Sequence, residues 1–499
     1  MKAKELNLTE EQKRILKEPG DLLVIAGPGT GKTYTLFAKI THLLENEVKP
    51  SEILLLAYNL KIAEELKKKA QEKRLSEIKV DTFHGLAYDL WTDYHGKTPP
   101  LITEAEKKEI LKKLFHKQKN PLKQPQNLKT YHEFLLKNNL LDFELLLNQT
   151  HSLLPHLQQK YVVIDEFQDL SPEIWDFLTN FQGSHFVFFG DPNQCIYGFK
   201  GVNLEFIKNA VKRLCPSHKV LHLSLSFRCP ENILRFAEKF KCSPWSVPPL
   251  KSLKKGGTIQ GFQFNSTFQE KKEICKLIKQ LLGGLSLEEQ KHASTAPKDI
   301  FVLSRLKAVF YPLKEFLQEE GIPVSLPEEE AELKYNLCCE FLAKIETTIS
   351  GIEENIKDAP SKIRVFLKNL WELTERDKDK FKAYLKCLTL SDFLLPATEG
   401  VNFLSIHASK GLEARHVFLI GAEEGLLPLK IFPDTSEEEE RRLLYVAITR
   451  AKESFFFSAV TERKVFNFTL KKGLSRFFKG EPIKKFKKQP RKPKQVGLF

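Results

Sequence analysis

Two short stretches of this 499-residue chain carry residue types whose spacing suits phosphate chemistry. The first is AGPGTGKT, Ala26 to Thr33. Holding a phosphate requires backbone N–H groups that converge on its oxygens, so glycines must let the chain wrap closely. Gly27, Gly29 and Gly31 supply that freedom, with Pro28 and Thr30 between them. Lys32 is expected to reach the β- and γ-phosphates, and the Thr33 hydroxyl to ligate Mg²⁺ where the following helix begins, an end that favours anions. Ala26 stands where the eight-residue pattern usually has glycine. The second stretch is DEFQD, Asp165 to Asp169. Asp165 is placed to hold Mg²⁺, and Glu166 to orient or deprotonate water, so the pair favours hydrolysis over mere binding.

Chemistry of this kind needs strands that end at the site. DLLVIAG (21–27) precedes the glycine turn and YTLFAKITHLL follows it, while KYVVIDE (160–166) runs into the carboxylates. EILLLAY (52–58) and HFVFFGD (185–191) have the same character, and so do DIFVLSR (299–305), VNFLSIH (401–407) and HVFLIGA (416–422). Runs rich in Val, Ile, Leu and Phe suit parallel strands buried on both faces, with crossover helices between them. The pattern predicts two α/β domains with parallel sheets. Two stretches break it with helical spacing, one from about 88 to 155 and one from about 327 to 395, and each reads as a small helical insertion.

Composition narrows the class of partner. Lys and Arg total 78 against 64 Asp and Glu, a net charge of +14, and 41% of residues are hydrophobic. An excess of positive charge favours a polyanion, although a Lys-rich surface alone gives the same balance. The N-terminus MKAKELNLTEEQ lacks the apolar core of a secretory signal, and no apolar run approaches the roughly 20 residues of a membrane span. The eight cysteines show no C-x-x-C pair. A reduced, cytoplasmic protein without structural zinc or membrane association is expected.

DEFQD taken with AGPGTGKT resembles the UvrD/Rep/PcrA-type superfamily 1 DNA helicases, and further motifs follow in order. LNLTEEQ looks like the family's Q motif, which makes Gln12 the adenine reader. LLLAYNLKIAEEL and DTFHGLA resemble DNA-contacting motifs, implicating Tyr58, Lys61, Thr82 and His84. FFGDPNQCIYGFKG is similar to the GD-x-x-Q-x-I-Y segment. It implies Gln194 near the γ-phosphate, Tyr197 and Phe199 against bases, and Lys200 where arginine is common. LSFRCP resembles the N-Y-R-S element, so Phe227 would stack on adenine and Arg228 would act as an arginine finger. IHASKGLEARHVFLIGAEEGLLP and EEERRLLYVAITRAK match the last two motifs. They assign Glu413 to the nucleotide's sugar side, Arg450 to the γ-phosphate as a second finger, and His407 to DNA.

The resemblance implies two RecA-like P-loop domains that use ATP and Mg²⁺. The first spans 1–87 and 156–230 around the helical insertion 88–155. The second spans 231–326 and 396–478 around a reduced insertion at 327–395. Lysines and prolines from 479 to 499 read as a flexible basic tail. Its end, QVGLF, resembles the pentapeptide that binds the bacterial sliding clamp, with Gln495, Leu498 and Phe499 as its contacts. The implied activity is a monomer-capable translocase on single-stranded DNA and 3′-tailed duplexes, a 3′–5′ helicase of DNA repair, replication or recombination. Two rivals remain open: a protein-stripping translocase with little unwinding, and a clamp partner with an inactive ATP site.

Overall fold

A computed structural model describes residues 8–486 apart from 117, 119, 158, 182, 199–200, 284–294, 348–350 and 431–435. The chain divides into two units: Met1–Ser224 with Pro244–Pro248 and Glu328–Leu394, and Leu225–Ser243 with Pro249–Pro327 and Leu395–Phe499.

The first unit is built on six strands: β1 (Leu22–Ala26), β2 (Ile53–Ala57), β3 (Lys79–Thr82), β4 (Tyr161–Asp165), β5 (His185–Gly190) and β6 (Lys219–Leu223). They lie in the order β3-β2-β4-β5-β1-β6, and all neighbours are parallel. β1, β2 and β4 are buried along their whole length, as expected of strands covered on both faces. Helix α1 (Glu10–Lys17) precedes the sheet, α2 (Lys32–Glu45) follows β1, α3 (Leu60–Glu72) follows β2 and α4 (Phe83–His95) follows β3. Helices Glu104–Phe115, Pro125–Lys137 and Phe143–Thr150 extend the core on one face of this sheet through Phe115, Tyr131, Leu135 and Leu146.

The second unit carries a seven-stranded, wholly parallel sheet. From one edge to the other it runs Val324–Ser325, Val401–Ser405, Ile300–Ser304, Ala414–Ile420, Ala451–Val460, Thr258–Phe264 and Ile483–Lys485. Two α/β units with parallel sheets are therefore present, as the alternation of apolar runs predicted, and they are RecA-like, as the resemblance implied.

Two features depart from what composition suggests. The basic tail reads as flexible from 479, yet Ile483–Lys485 forms an edge strand beside Thr258–Phe264, which corrects that reading over its first residues. Phe486 explains the anchoring, since its ring lies 4.7 Å from Phe264 and its carbonyl accepts a hydrogen bond from Asn265. Gln495, Leu498 and Phe499 lie outside the described residues. The second concerns the helices Pro327–Thr347, Ile352–Asp358, Ser361–Leu373 and Lys378–Cys387. They interrupt the second sheet in sequence but group with the first unit, where Leu60 of α3 joins their core of Phe341, Ile363, Leu367 and Phe381.

Candidate active site

The glycine turn leaves the C-terminal end of β1, the edge where parallel α/β sheets place their ligands. Ala26 closes the strand opposite Leu223, and the Gly27 N–H donates to the Leu223 carbonyl at 3.1 Å. Gly29 and Gly31 adopt φ of 71° and 78°, a left-handed region that glycine enters without steric cost. Thr30 pins the turn by donating its hydroxyl to the Gly27 carbonyl at 2.8 Å. Pro28 is buried, and α2 starts at Lys32 with Thr33 half-buried in its first turn. The start of α2 has no side-chain cap, so its first N–H groups face the turn, the arrangement that receives anions.

The sheet order puts β5 between β1 and β4. Lys32 spans that distance: its ammonium sits 2.6 Å from Asp165 Oδ1 and also pairs with Glu166. Burial opposes the lysine's charge, but the two carboxylates outweigh it and hold its pKa above the ordinary range. Asp165 is driven upward, chiefly by burial and then by Glu166, with Lys32 offsetting both. Glu166 has φ of 55°, uncommon for a residue with a side chain.

From Glu166 the polar network continues away from β4. Fully buried Gln168 donates its amide to Glu166 and accepts from the Asp191 N–H at 3.0 Å. Asp191 in turn accepts from the Gln194 side chain at 2.9 Å and from the Asn193 N–H at 3.0 Å. Lys32, Asp165, Glu166 and Gln194 thus belong to one hydrogen-bonded set in the first unit. Gln168 and Asp191 were not singled out from the sequence. The signal was their place inside DEFQD and GDPNQ.

Gln12 is almost wholly buried. Its side-chain oxygen accepts from the Thr9 N–H at 2.9 Å and its amide donates to Thr35 Oγ1 at 3.1 Å, so it joins α1 to the helix behind the phosphate turn. Lys39 strengthens that joint by donating to the Leu16 carbonyl at 2.9 Å.

In the second unit Arg228 donates to Glu413 Oε2 at 2.9 Å, and Lys452 pairs with the same carboxylate. Burial would raise Glu413, but Lys452 and Arg228 pull it below the ordinary carboxylate range. The Arg228 Nε–H is buried with no hydrogen-bond partner among the described residues. Phe227 is exposed beside it. Arg450 is buried at the end of helix Glu437–Thr449. It donates to the Val446 carbonyl at 3.0 Å, the Leu412 carbonyl at 3.1 Å and Thr449 Oγ1 at 3.1 Å. Burial, then Arg228, lowers its pKa to about 10.

The residues assigned to DNA divide between the units. Tyr58 and Tyr197 pack partly buried against the first unit's core. Lys61 donates to the Leu394 carbonyl at 2.6 Å, Thr82 caps α4 by accepting from the Gly85 N–H at 2.9 Å, and His84 meets Phe143 edge-on at 5.3 Å. Burial depresses His84 to about 4. His407, in the second unit, falls to about 3 through burial and then Arg305. Phe199 and Lys200 lie outside the described residues.

One exposed aromatic element escaped the motif reading. Strands Arg463–Val465 and Phe468–Leu470 form an antiparallel hairpin in the second unit. Phe466 at its turn has φ of 52° and is 69% exposed, and Phe468 is 56% exposed. Lys464, Lys471 and Lys472 flank them in solvent. The root is rigid, because buried Arg463 donates to Glu423 Oε2 at 3.0 Å and to Glu270 Oε2 at 2.7 Å.

The residues present fit a magnesium nucleotide. Asp165 and Thr33 are hard oxygen donors beside a buried lysine, the set that Mg²⁺ and phosphates share. A parallel α/β sheet with such a turn, paired with acidic residues across one strand, defines a P-loop nucleotide hydrolase of RecA type. Residues 12–200 match the AAA domain family and residues 343–462 match the UvrD-like helicase C-terminal domain. The chain is 24% identical to the ATP-dependent DNA helicase Rep of Buchnera aphidicola, covering 92% of this chain and 94% of that protein. It is likewise 24% identical to the ATP-dependent DNA helicase PcrA of Staphylococcus epidermidis, covering 95% of this chain and 86% of the relative. The protein belongs to the UvrD/Rep/PcrA-type family of superfamily 1 DNA helicases. The Rep alignment runs over 619 positions, more than the chain's own 499 residues, so the relative carries segments that this chain lacks.

Proposed function

We propose that this protein is an ATP-driven translocase on single-stranded DNA that moves 3′ to 5′ and unwinds 3′-tailed duplexes in genome maintenance. The observation that carries the ATPase part is the hydrogen-bonded set of Lys32, Asp165, Glu166, Gln168, Asp191 and Gln194, with Asp165, Gln168 and Asp191 buried. Lys32 is the phosphate partner, with Asp165 and Thr33 holding Mg²⁺, which neutralises phosphate charge when bound. Glu166 takes a proton from the attacking water, and Gln194 senses the γ-phosphate through Asp191. Gln12 and Phe227 attend the adenine and Glu413 the sugar. Arg228 and Arg450 act as fingers on developing negative charge. Because these groups are divided between two units, hydrolysis is coupled to closing the units on the nucleotide and reopening them. Polarity and pathway rest on the family resemblance.

The DNA reading is supported by aromatic and basic groups at the motif positions Tyr58, Lys61, Thr82, His84, Tyr197, Phe199, Lys200 and His407. Stacking tolerates any base sequence, as a translocase requires. The hairpin favours unwinding over translocation alone: a rigidly rooted, exposed Phe466 among lysines suits contact with a terminal base pair at a duplex end. The shortened chain favours the second reading, a translocase that strips proteins and scarcely unwinds. Clamp binding through Gln495, Leu498 and Phe499 is proposed separately, and deletion of 495–499 should abolish capture by the clamp. The deciding experiment measures ATPase and strand displacement on 3′- and 5′-tailed DNA and RNA duplexes. DNA-stimulated ATPase with displacement of only 3′-tailed DNA is expected. ATPase without displacement on any duplex selects the stripping reading, and turnover indifferent to DNA overturns both.

A further inference from the structure

We propose that Tyr384 is a positioning residue for DNA binding. From the helix Lys378–Cys387 it fixes the turn Asp81–His84, at the end of β3, in its DNA-gripping shape. The inference rests on the reading above that Thr82 and His84 face DNA.

Asp81 is the hub. Its Oδ1 accepts from the Thr82 N–H at 2.7 Å and from the Tyr384 hydroxyl at 2.8 Å, both in the buried interior. Burial and then Asp89 push the Asp81 carboxyl upward, so each donor counts toward keeping it charged. The Tyr384 phenol, itself buried, stays protonated and can only donate here. Thr82, held from behind by Asp81, turns its hydroxyl to cap α4. Gly85 leaves the space for this bond, because a Cβ there would come within 2.1 Å of Asp81 Oδ1 and 2.3 Å of the Tyr384 oxygen. A glycine in the first turn of a helix costs helix stability, and the approaching phenol accounts for it.

The same segment holds the other DNA-motif turn. Lys380 pairs with Asp89 of α4 at 2.8 Å, while Asp392 accepts from the Lys61 N–H at 3.2 Å. One helical stretch therefore braces both turns, after β2 and after β3, at which this unit would grip a strand. A hydrogen bond to a buried carboxylate is a strong one, and removing its donor leaves Asp81 underpaired while the aromatic packing survives.

The test is Tyr384→Phe in the full chain, with Thr82→Ala as the probe of the motif itself. The readouts are turnover without DNA, turnover at saturating oligo(dT), the oligo(dT) concentration giving half stimulation, and Tm. Tyr384→Phe should raise the half-stimulating concentration about 3–10-fold. Both turnover numbers should stay within about twofold, and Tm should fall by no more than a few degrees, the cost of one underpaired carboxylate. A half-stimulating concentration unchanged in Tyr384→Phe but raised in Thr82→Ala overturns the inference and leaves the motif reading standing. No change in either variant overturns both. A fall in DNA-free turnover together with Tm marks Tyr384 as a folding residue and overturns the positioning role.

Discussion

Gly190 lies directly against Gln168: a Cβ on Gly190 would come within 2.1 Å of Gln168 Oε1 and 2.6 Å of the Phe167 ring. The glycine that ends β5 thus lets Gln168 lie flat between Glu166 and Asp191 and pass hydrogen bonds from one to the other. Gly190→Ala forces this buried amide to move, in a core with no slack. Overpacking of this kind costs about 1–3 kcal/mol, so thermal unfolding should shift downward by several degrees. Turnover should fall more than stability alone explains, since Glu166 loses its support. A variant with normal turnover and normal Tm would show that the Gln168 bridge is dispensable.

Lys32→Ala and Glu166→Gln separate holding the phosphate from attacking it. Lys32→Ala removes the cation between two carboxylates, and turnover should drop by about 10²–10³-fold with weakened ATP binding. Glu166→Gln keeps a side chain that can still bond Lys32 and Gln168 but cannot take a proton. Turnover should fall by about 10²–10⁴-fold with ATP affinity largely kept. Glu166→Gln enzyme hydrolysing ATP at the ordinary rate would remove Glu166 from the role of base.

Arg228 is tested from the second unit. Arg228→Ala should reduce turnover by about 10³-fold or more if it acts as a finger, with nucleotide binding by the first unit little changed. Its partner Glu413 then keeps only Lys452, so its carboxyl should rise toward the ordinary range. Equal losses of binding and turnover would instead place Arg228 in ground-state binding.

The sequence made the phosphate site legible for a physical reason. Strands buried on both faces must be continuous apolar runs, so LLVIA and YVVID announce where Lys32 and Asp165 emerge. Edge and half-exposed strands carry no such run. Lys79–Thr82 and Lys219–Leu223 have exposed or half-exposed positions, and neither stood out. The partner of the helices in 328–394 was also illegible, because their place between strands of the second sheet says nothing about which unit covers their apolar face. Tyr384 reads as one more core aromatic until Asp81 and Gly85 are seen around its hydroxyl. The hairpin at Phe466 hides for the opposite reason: its turn uses Phe-Asn where glycine or Asn-Gly would signal the bend.

His84 gives the protein a dependence on acid. Burial lowers its pKa from 6.5 to about 4, so the folded state keeps it neutral where the unfolded chain would protonate. The unfolded state therefore binds more protons between those values, and stability falls as pH drops from about 6.5 toward 4. A partly solvated ring contributes about 1–2 kcal/mol of this loss. His84→Gln should flatten that part of the stability curve measured by urea unfolding at pH 7 and pH 5. An unaltered slope would show that the ring is protonated in the fold.

Phe466 separates unwinding from translocation. The left-handed turn and the mostly exposed ring cost stability, while Arg463 anchors the hairpin through Glu423 and Glu270. Phe466→Ala should leave single-stranded-DNA-stimulated ATPase within about twofold and lower strand displacement on 3′-tailed duplexes about tenfold, the loss of one base-stacking contact. Tm should hold, because the ring is mostly in solvent and alanine keeps the same left-handed backbone. Displacement at the unaltered rate would remove the hairpin from the duplex end. A parallel fall in ATPase would move it from the duplex end to the single-strand track.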